Sequence, residues 1–129
     1  MTSLEEKMRK NWHSLMKLVK TNLPPQKMQI LSNLIIKNTH DINILEKLKS
    51  SNVHSSNAFE WILQLRKYWD GDCHVKCMET NLVYDYEYQN NNDRLVITPL
   101  TDKCYITLMT ALKLNLGGAP CGPAGTGKT

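Results

Sequence analysis

Residues 122–129 read GPAGTGKT: Gly122, Pro123, Ala124, Gly125, Thr126, Gly127, Lys128 and Thr129. A glycine, four residues and then Gly-Lys-Thr is the spacing of a phosphate-binding loop, GxxxxGK[ST]. Each residue type has a chemical reason. Glycines let main-chain amides turn inward and approach phosphate oxygens with no Cβ in the way. Lys128 brings a point charge to the β- and γ-phosphates of a nucleotide, and Thr129 brings a hydroxyl for Mg²⁺. With glycine near 7% of ordinary sequence, a chance match somewhere in such a chain is on the order of one in a few hundred. The competing reading is a Gly/Pro-rich surface turn.

Other chemistry-bearing residues form weaker patterns. Cys73, His74 and Cys77 suggest a metal, but on a strand Cys73 and Cys77 share a face roughly 13 Å apart, at about 3.3 Å per residue, too far for one ion. His13, His40 and His54 have no cysteine or paired carboxylate at ligand spacing and read as ordinary helix or loop residues. Asp85 and Glu87 alternate with tyrosines, which puts them on the solvated face of a strand.

The elements that must position the loop divide the chain in two. SLEEKMRKNWHSLMKLVKTNL opens with a capping-box pattern, Ser3 and Glu6, and repeats Leu4, Met8, Trp12, Leu15 and Val19 at helical spacing, with Pro24 and Pro25 closing it. A second helical pattern carries Met28, Leu31, Leu34, Ile35, Ile42, Leu45 and Leu48, with a bend expected near KNTHD, and residues 50–57 are a polar connection. Asn57 and Glu60 repeat the capping-box pattern before FEWILQLRKYWD, which predicts a helix over 58–69, buried on most sides and ended by Gly71.

From Cys73 the period becomes two. CHVKCM and LVYDYEYQ predict strands, with Tyr84, Tyr86 and Tyr88 on one face; NNND predicts a turn and RLVIT a short buried strand. Thr98 and Pro99 make an N-cap and N1 pair for a helix through Leu100, Cys104, Leu108 and Leu112, stopped at Gly117 and Gly118. A phosphate loop leaves a parallel strand, and LNLGGAPC allows only a short or irregular one.

The 129 residues are 41% apolar and 22% charged, as in a globular chain with a core of its own. No apolar run approaches the roughly 20 residues of a membrane span, and the N-terminus lacks the apolar stretch of a secretory signal. Four cysteines in such a chain read as reduced thiols in a cytosolic compartment. The net charge of +4 is uneven: nine Lys/Arg against four Asp/Glu in residues 1–57, seven against eight in 58–129. The N-terminal excess is scattered, without interleaved aromatics, so it reads as a solvated helix face; no nucleic-acid partner and no membrane are expected.

FEWILQLRKYW, YEY, RLVITPLTDKCYITLMTALKLNLGGAP and GPAGTGKT, in this order, resemble the dynein heavy chain where the end of its linker meets its first AAA+ module. The resemblance runs from Phe59 to Thr129, and its wording is closer to axonemal than to cytoplasmic dyneins. It implies a mixed fold, a helical linker segment followed by the beginning of an α/β P-loop (AAA+) module that stops at the Walker A loop. The implied division is 1–72, helical linker segment, and 73–129, linker end and start of the nucleotide-binding module.

The resemblance further implies ATP and Mg²⁺ as ligands, Gly122 to Thr129 as the phosphate loop, and Ile97, Thr98, Pro99 and Leu100 against the adenine. An apolar segment suits that role, because an adenine face gains from burial while main chain reads its edge. Implied partners are the remaining AAA+ ring in cis, microtubules, and dynein intermediate and light chains; the implied location is cytoplasm and cytoskeleton, in the axoneme of a cilium or flagellum. The chain is expected to be a fragment, unable to turn over ATP alone because it has no acidic residues placed to position the attacking water.

The chain departs from the family at three places. Asp85 stands where glycine is common, Gln89–Asn90 where Leu-Gly is common, and Lys103 where arginine is common. The last exchanges a planar fork for a point charge. Two other readings stay open: a different P-loop enzyme, such as a kinase or another AAA+ ATPase, and a non-enzymatic helical interaction module with a vestigial loop.

Overall fold

The computed structural model describes residues 2–90 and 92–126. Helix α1, Thr2–Val19, and helix α2, Pro25–Ser50, form an antiparallel hairpin. Their pairing runs in opposite senses along the two sequences: Glu5 reaches Lys49, Arg9 reaches Glu46, and the Trp12 indole donates to Thr39 at 3.1 Å. Leu31 and Ile42 are buried in α2, about 20° apart around the helix at 3.6 residues per turn. Ser3 lies inside α1 and does not cap it. Pro24 and Pro25 serve the next helix rather than closing the first: Pro24 is the N-cap of α2 and Pro25 its N1 residue, where proline's missing amide costs nothing. Helix α2 continues through KNTHD without interruption.

Helix α2 ends on Asn52 in the left-handed region, φ +51, and the Val53 amide returns to the Leu48 carbonyl at 3.1 Å. That is the six-to-one bond of a Schellman ending, and its two apolar residues, Leu48 and Val53, are both buried. The helix expected over 58–69 is corrected. Only Phe59–Ile62 forms helix α3, with Ala58 rather than Asn57 at its N-cap and no side-chain cap, and Arg66–Trp69 is strand β1. Strand β1 pairs antiparallel with β2, Cys73–Cys77, which pairs antiparallel with β3, Thr80–Val83. Gly71, at φ +69, therefore turns a hairpin between Trp69 and Cys73 instead of ending a helix. The apolar run of residues 59–69 fits either period, and the ladder to β2 decided its second half.

Helix α4, Pro99–Lys113, starts at Thr98 as expected. Its stop is corrected: Asn115, at φ +56, is the left-handed residue, and the Leu116 amide bonds the Ala111 carbonyl at 2.9 Å, ahead of Gly117. The strands expected over LVYDYEYQ and RLVIT are corrected too. After Val83 only the Tyr84 amide continues the ladder, to the Cys73 carbonyl at 2.8 Å, and Leu95 and Val96 are 73% and 68% exposed. A strand's amides and carbonyls need a partner, and among the described residues no strand flanks them.

A second core lies where the end of α2, the sheet and α4 meet. Leu48 is 1% exposed and Cys77 2%. The Thr80 hydroxyl donates to the Met109 carbonyl at 3.2 Å in buried surroundings, and a cavity of about 40 Å³ remains between Lys47, Leu63, Cys77, Asp102, Tyr105 and Ile106. No described helix is long and apolar enough to cross a membrane.

Candidate nucleotide site

The two pieces of the expected site flank α4. At its start, Thr98 has extended backbone, φ −106 and ψ 166, and its hydroxyl accepts from the Thr101 amide at 3.3 Å, while the Thr98 amide donates to the Thr101 hydroxyl. This reciprocal box satisfies two amides that a helix start leaves open. It also fixes the path of the preceding residue, half-buried Ile97, and of Leu100, which is 71% exposed on the first turn. Asp102 in the same turn places a carboxylate at the positive end of the helix.

Beyond the other end of α4, residues 116–123 carry no regular structure, so the parallel strand expected before the loop is absent over 114–121. A Cβ on Gly118 would stand 2.2 Å from Leu108 Cδ2, so the chain doubles back against the helix it has just left. In the loop itself Ala124 and Gly125 form a turn, with Gly125 at φ +77, a conformation glycine adopts without a Cβ clash. The Thr126 hydroxyl donates to the Pro123 carbonyl at 2.8 Å and closes it. Gly122 and Pro123 are exposed. Gly127, Lys128 and Thr129, which would supply the charge and the Mg²⁺ hydroxyl, lie outside the described residues.

The segment leading to Thr98 is held by α2. Gln29 Nε2 donates to Asp93 Oδ1 at 3.2 Å, Asn33 Nδ2 donates to the Asn92 carbonyl at 3.2 Å, and the Arg94 amide donates to Asn33 Oδ1 at 2.9 Å. Further along, His40 Nε2 meets Asp102 Oδ1 at 3.2 Å. His40 thus ties α2 to the first turn of α4. Nothing in the sequence signals these contacts, which join residues 59 to 64 positions apart.

The remaining candidates resolve into structure. The Cys77 thiol donates to the Leu63 carbonyl at 3.3 Å, and burial pushes its pKa up. Among the described residues no three His, Cys, Asp or Glu side chains come together to hold a metal. Asp72 Oδ1 accepts from the Tyr86 hydroxyl and the Cys73 amide, both at 2.7 Å; these bonds, the tyrosine's first, hold its carboxyl below the usual range, and the bond to Asp72 raises the Tyr86 phenol in turn. Asp85 and Glu87 are exposed. Asn90, one of the expected departures from the family pattern, takes φ +48, a left-handed conformation that asparagine tolerates.

Residues 84–129 match the family described as the hydrolytic ATP binding site of the dynein motor region. The chain is 46% identical, over 99% of its length, to dynein axonemal heavy chain 1 of Rattus norvegicus. It is 50% identical over 89% to dynein axonemal heavy chain 3 of Mus musculus. Over 74% it is 56% identical to the dynein-1-beta heavy chain, flagellar inner arm I1 complex, of Chlamydomonas reinhardtii. The chain belongs to the axonemal dynein heavy-chain family. It spans 2–3% of the length of these relatives. Within that family the match to the ATP site covers the capped start of α4 and the GPAGTGKT loop together.

Proposed function

We propose that this chain is the junction of a dynein motor at which a helical linker segment, residues 1–72, passes into the first AAA+ module, residues 73–129, and that it supplies that module's Walker A loop. Gly122 to Thr129 wrap the phosphates of ATP, with Lys128 on the β- and γ-oxygens and the Thr129 hydroxyl toward Mg²⁺. Ile97, Thr98, Pro99 and Leu100 lie against the adenine. The whole protein is an ATP-driven motor on axonemal microtubules, working with the rest of its AAA+ ring and with intermediate and light chains.

One observation carries this reading: residues 84–129 match the dynein ATP-site family across both pieces of the site. The left-handed Gly125 and the exposed Leu100 beside the Thr98 cap support it, since the first suits close approach of phosphate and the second offers an apolar surface to a base.

The test is Lys128→Ala in the heavy chain that carries this segment. A charge-assisted hydrogen bond to phosphate contributes about 1.5 to 3 kcal/mol, and each 1.4 kcal/mol is tenfold, so ATP affinity at this site falls roughly 10- to 150-fold. Unchanged affinity and unchanged gliding speed on microtubules would overturn the reading.

A further inference from the structure

Helix α2 has two working faces. Leu31, Asn38 and Ile42 lie on the face toward α1. Gln29, Asn33 and His40 fall within about 40° of one another around the helix, on its far side from that face, at 3.6 residues per turn. These three are half-buried, and every side-chain hydrogen bond the structure gives them goes to residues 92–102.

We infer that this face of α2 is a polar clamp that positions residues 95–101, and with them the adenine-contacting Ile97–Leu100, so that Asn33 and His40 are positioning residues for the base of the nucleotide. The inference rests on the site assignment above and adds to it a second element, remote in sequence, on which base affinity depends. Asn33 grips the main chain on both sides of Asp93, accepting from the Arg94 amide and donating to the Asn92 carbonyl. His40 grips the other side through Asp102, its ring Nε2 at hydrogen-bonding distance from Oδ1, 3.2 Å. The four residues Ile97–Leu100 lie between the two grips. Leu95 and Val96 make no ladder, and Leu100 projects into solvent. The clamp and the Thr98 cap at the start of α4 together hold the two ends of this segment. Phosphate contacts on the other side of α4 do not pass through it.

That separation gives the test its form. In the heavy chain carrying this segment, 8-azido-ATP is photolinked to the peptide containing Ile97–Leu100, so that only this site is read, and inorganic tripolyphosphate is used as a competitor that has phosphates and no base. Asn33→Ala and His40→Ala each raise the azido-ATP concentration for half-labelling about 3- to 10-fold, as expected for one or two neutral-to-charged hydrogen bonds, and leave the tripolyphosphate inhibition constant unchanged. His40→Gln, which keeps a donor at the same reach, restores labelling. Lys128→Ala weakens both ligands.

Weakening of both ligands together by Asn33→Ala or His40→Ala would mean a general structural fault and would overturn the clamp. So would unchanged labelling in both variants while Lys128→Ala still weakens binding, and in that case the site assignment stands. Labelling and competition that both ignore Lys128→Ala would overturn the site assignment and the clamp with it.

Discussion

The helical hairpin and the stretch between β3 and α4 carry apolar residues in similarly regular patterns, and only one of them becomes regular structure. In the hairpin the partner is the neighbouring helix: Met8, Trp12 and Leu15 of α1 are half-buried, and Leu31 and Ile42 of α2 are buried. Residues 94–98, RLVIT, have the composition of a buried strand, yet Leu95 and Val96 stand in solvent. A helix closes its own main-chain hydrogen bonds, so an amphipathic pattern needs only a surface to lie on. A strand closes none, and its pattern describes a face that exists only if a ladder partner arrives.

The sharpest way to break this contrast is to attack the packed side. Leu48→Ala removes a side chain 1% exposed at the end of α2, and the loss of transfer energy and the remaining cavity lower stability by about 2 to 5 kcal/mol, read from the urea midpoint. Thr98→Ala tests the border between the two regions. It removes the side-chain half of the reciprocal box at the start of α4, the Thr98 hydroxyl that accepts from the Thr101 amide, and a loss of about 0.5 to 2 kcal/mol is expected, with faster amide exchange over residues 99–102. A stability equal to the parent chain's would show that Pro99 alone fixes that helix start.

The unladdered side predicts the opposite outcome. Leu95→Ser with Val96→Ser changes stability by no more than about 0.5 kcal/mol, because the residues already face water, and it reduces self-association in sedimentation, since exposed apolar surface is what drives it. A large loss of stability would mean that the stretch is packed in solution.

The smallest effect concerns acid. Asp72 titrates below the usual carboxylate range, chiefly through the Tyr86 hydroxyl and then the Cys73 amide. A carboxyl depressed in the folded state binds fewer protons than in the unfolded one, so its contribution is complete above the ordinary Asp range and disappears as the pH falls through the depressed value. Tyr86→Phe removes the larger part of that contribution, so the variant is slightly less stable than the parent at neutral pH and the two profiles converge as the pH falls below about 4, as thermal melts over a pH series would show.

What could be read from sequence followed the reach of each signal. Thr98–Pro99 starts a helix by chemistry contained in four residues, and the structure keeps it. The stripes of α1 and α2 are also local. Gly71 was legible as a left-handed position but not as a hairpin, because the strand pairing of Arg66–Trp69 depends on residues 73–76. The endings of α2 and α4 fall on asparagines, Asn52 and Asn115, where the eye goes to glycine; asparagine reaches the same region at a small cost. The grip of Asn33 on residues 92–94 joins positions about sixty apart and leaves no pattern in either segment. The phosphate loop is the reverse case: its spacing is legible with no structure at all, and Lys128 and Thr129 lie outside the described residues.

The bond from the Thr80 hydroxyl to the Met109 carbonyl has a mechanical side. It is buried and fastens the β2–β3 hairpin to the last third of α4, while the Lys113–Glu79 ion pair fastens the same two bodies at the surface. Under a pull along the axis of α4 the exposed pair yields first, since water and salt compete for it. The buried bond holds, because releasing it strands a hydroxyl and exposes the seam beneath it. The buried bond is therefore the firmer of the two ties between the hairpin and the helix.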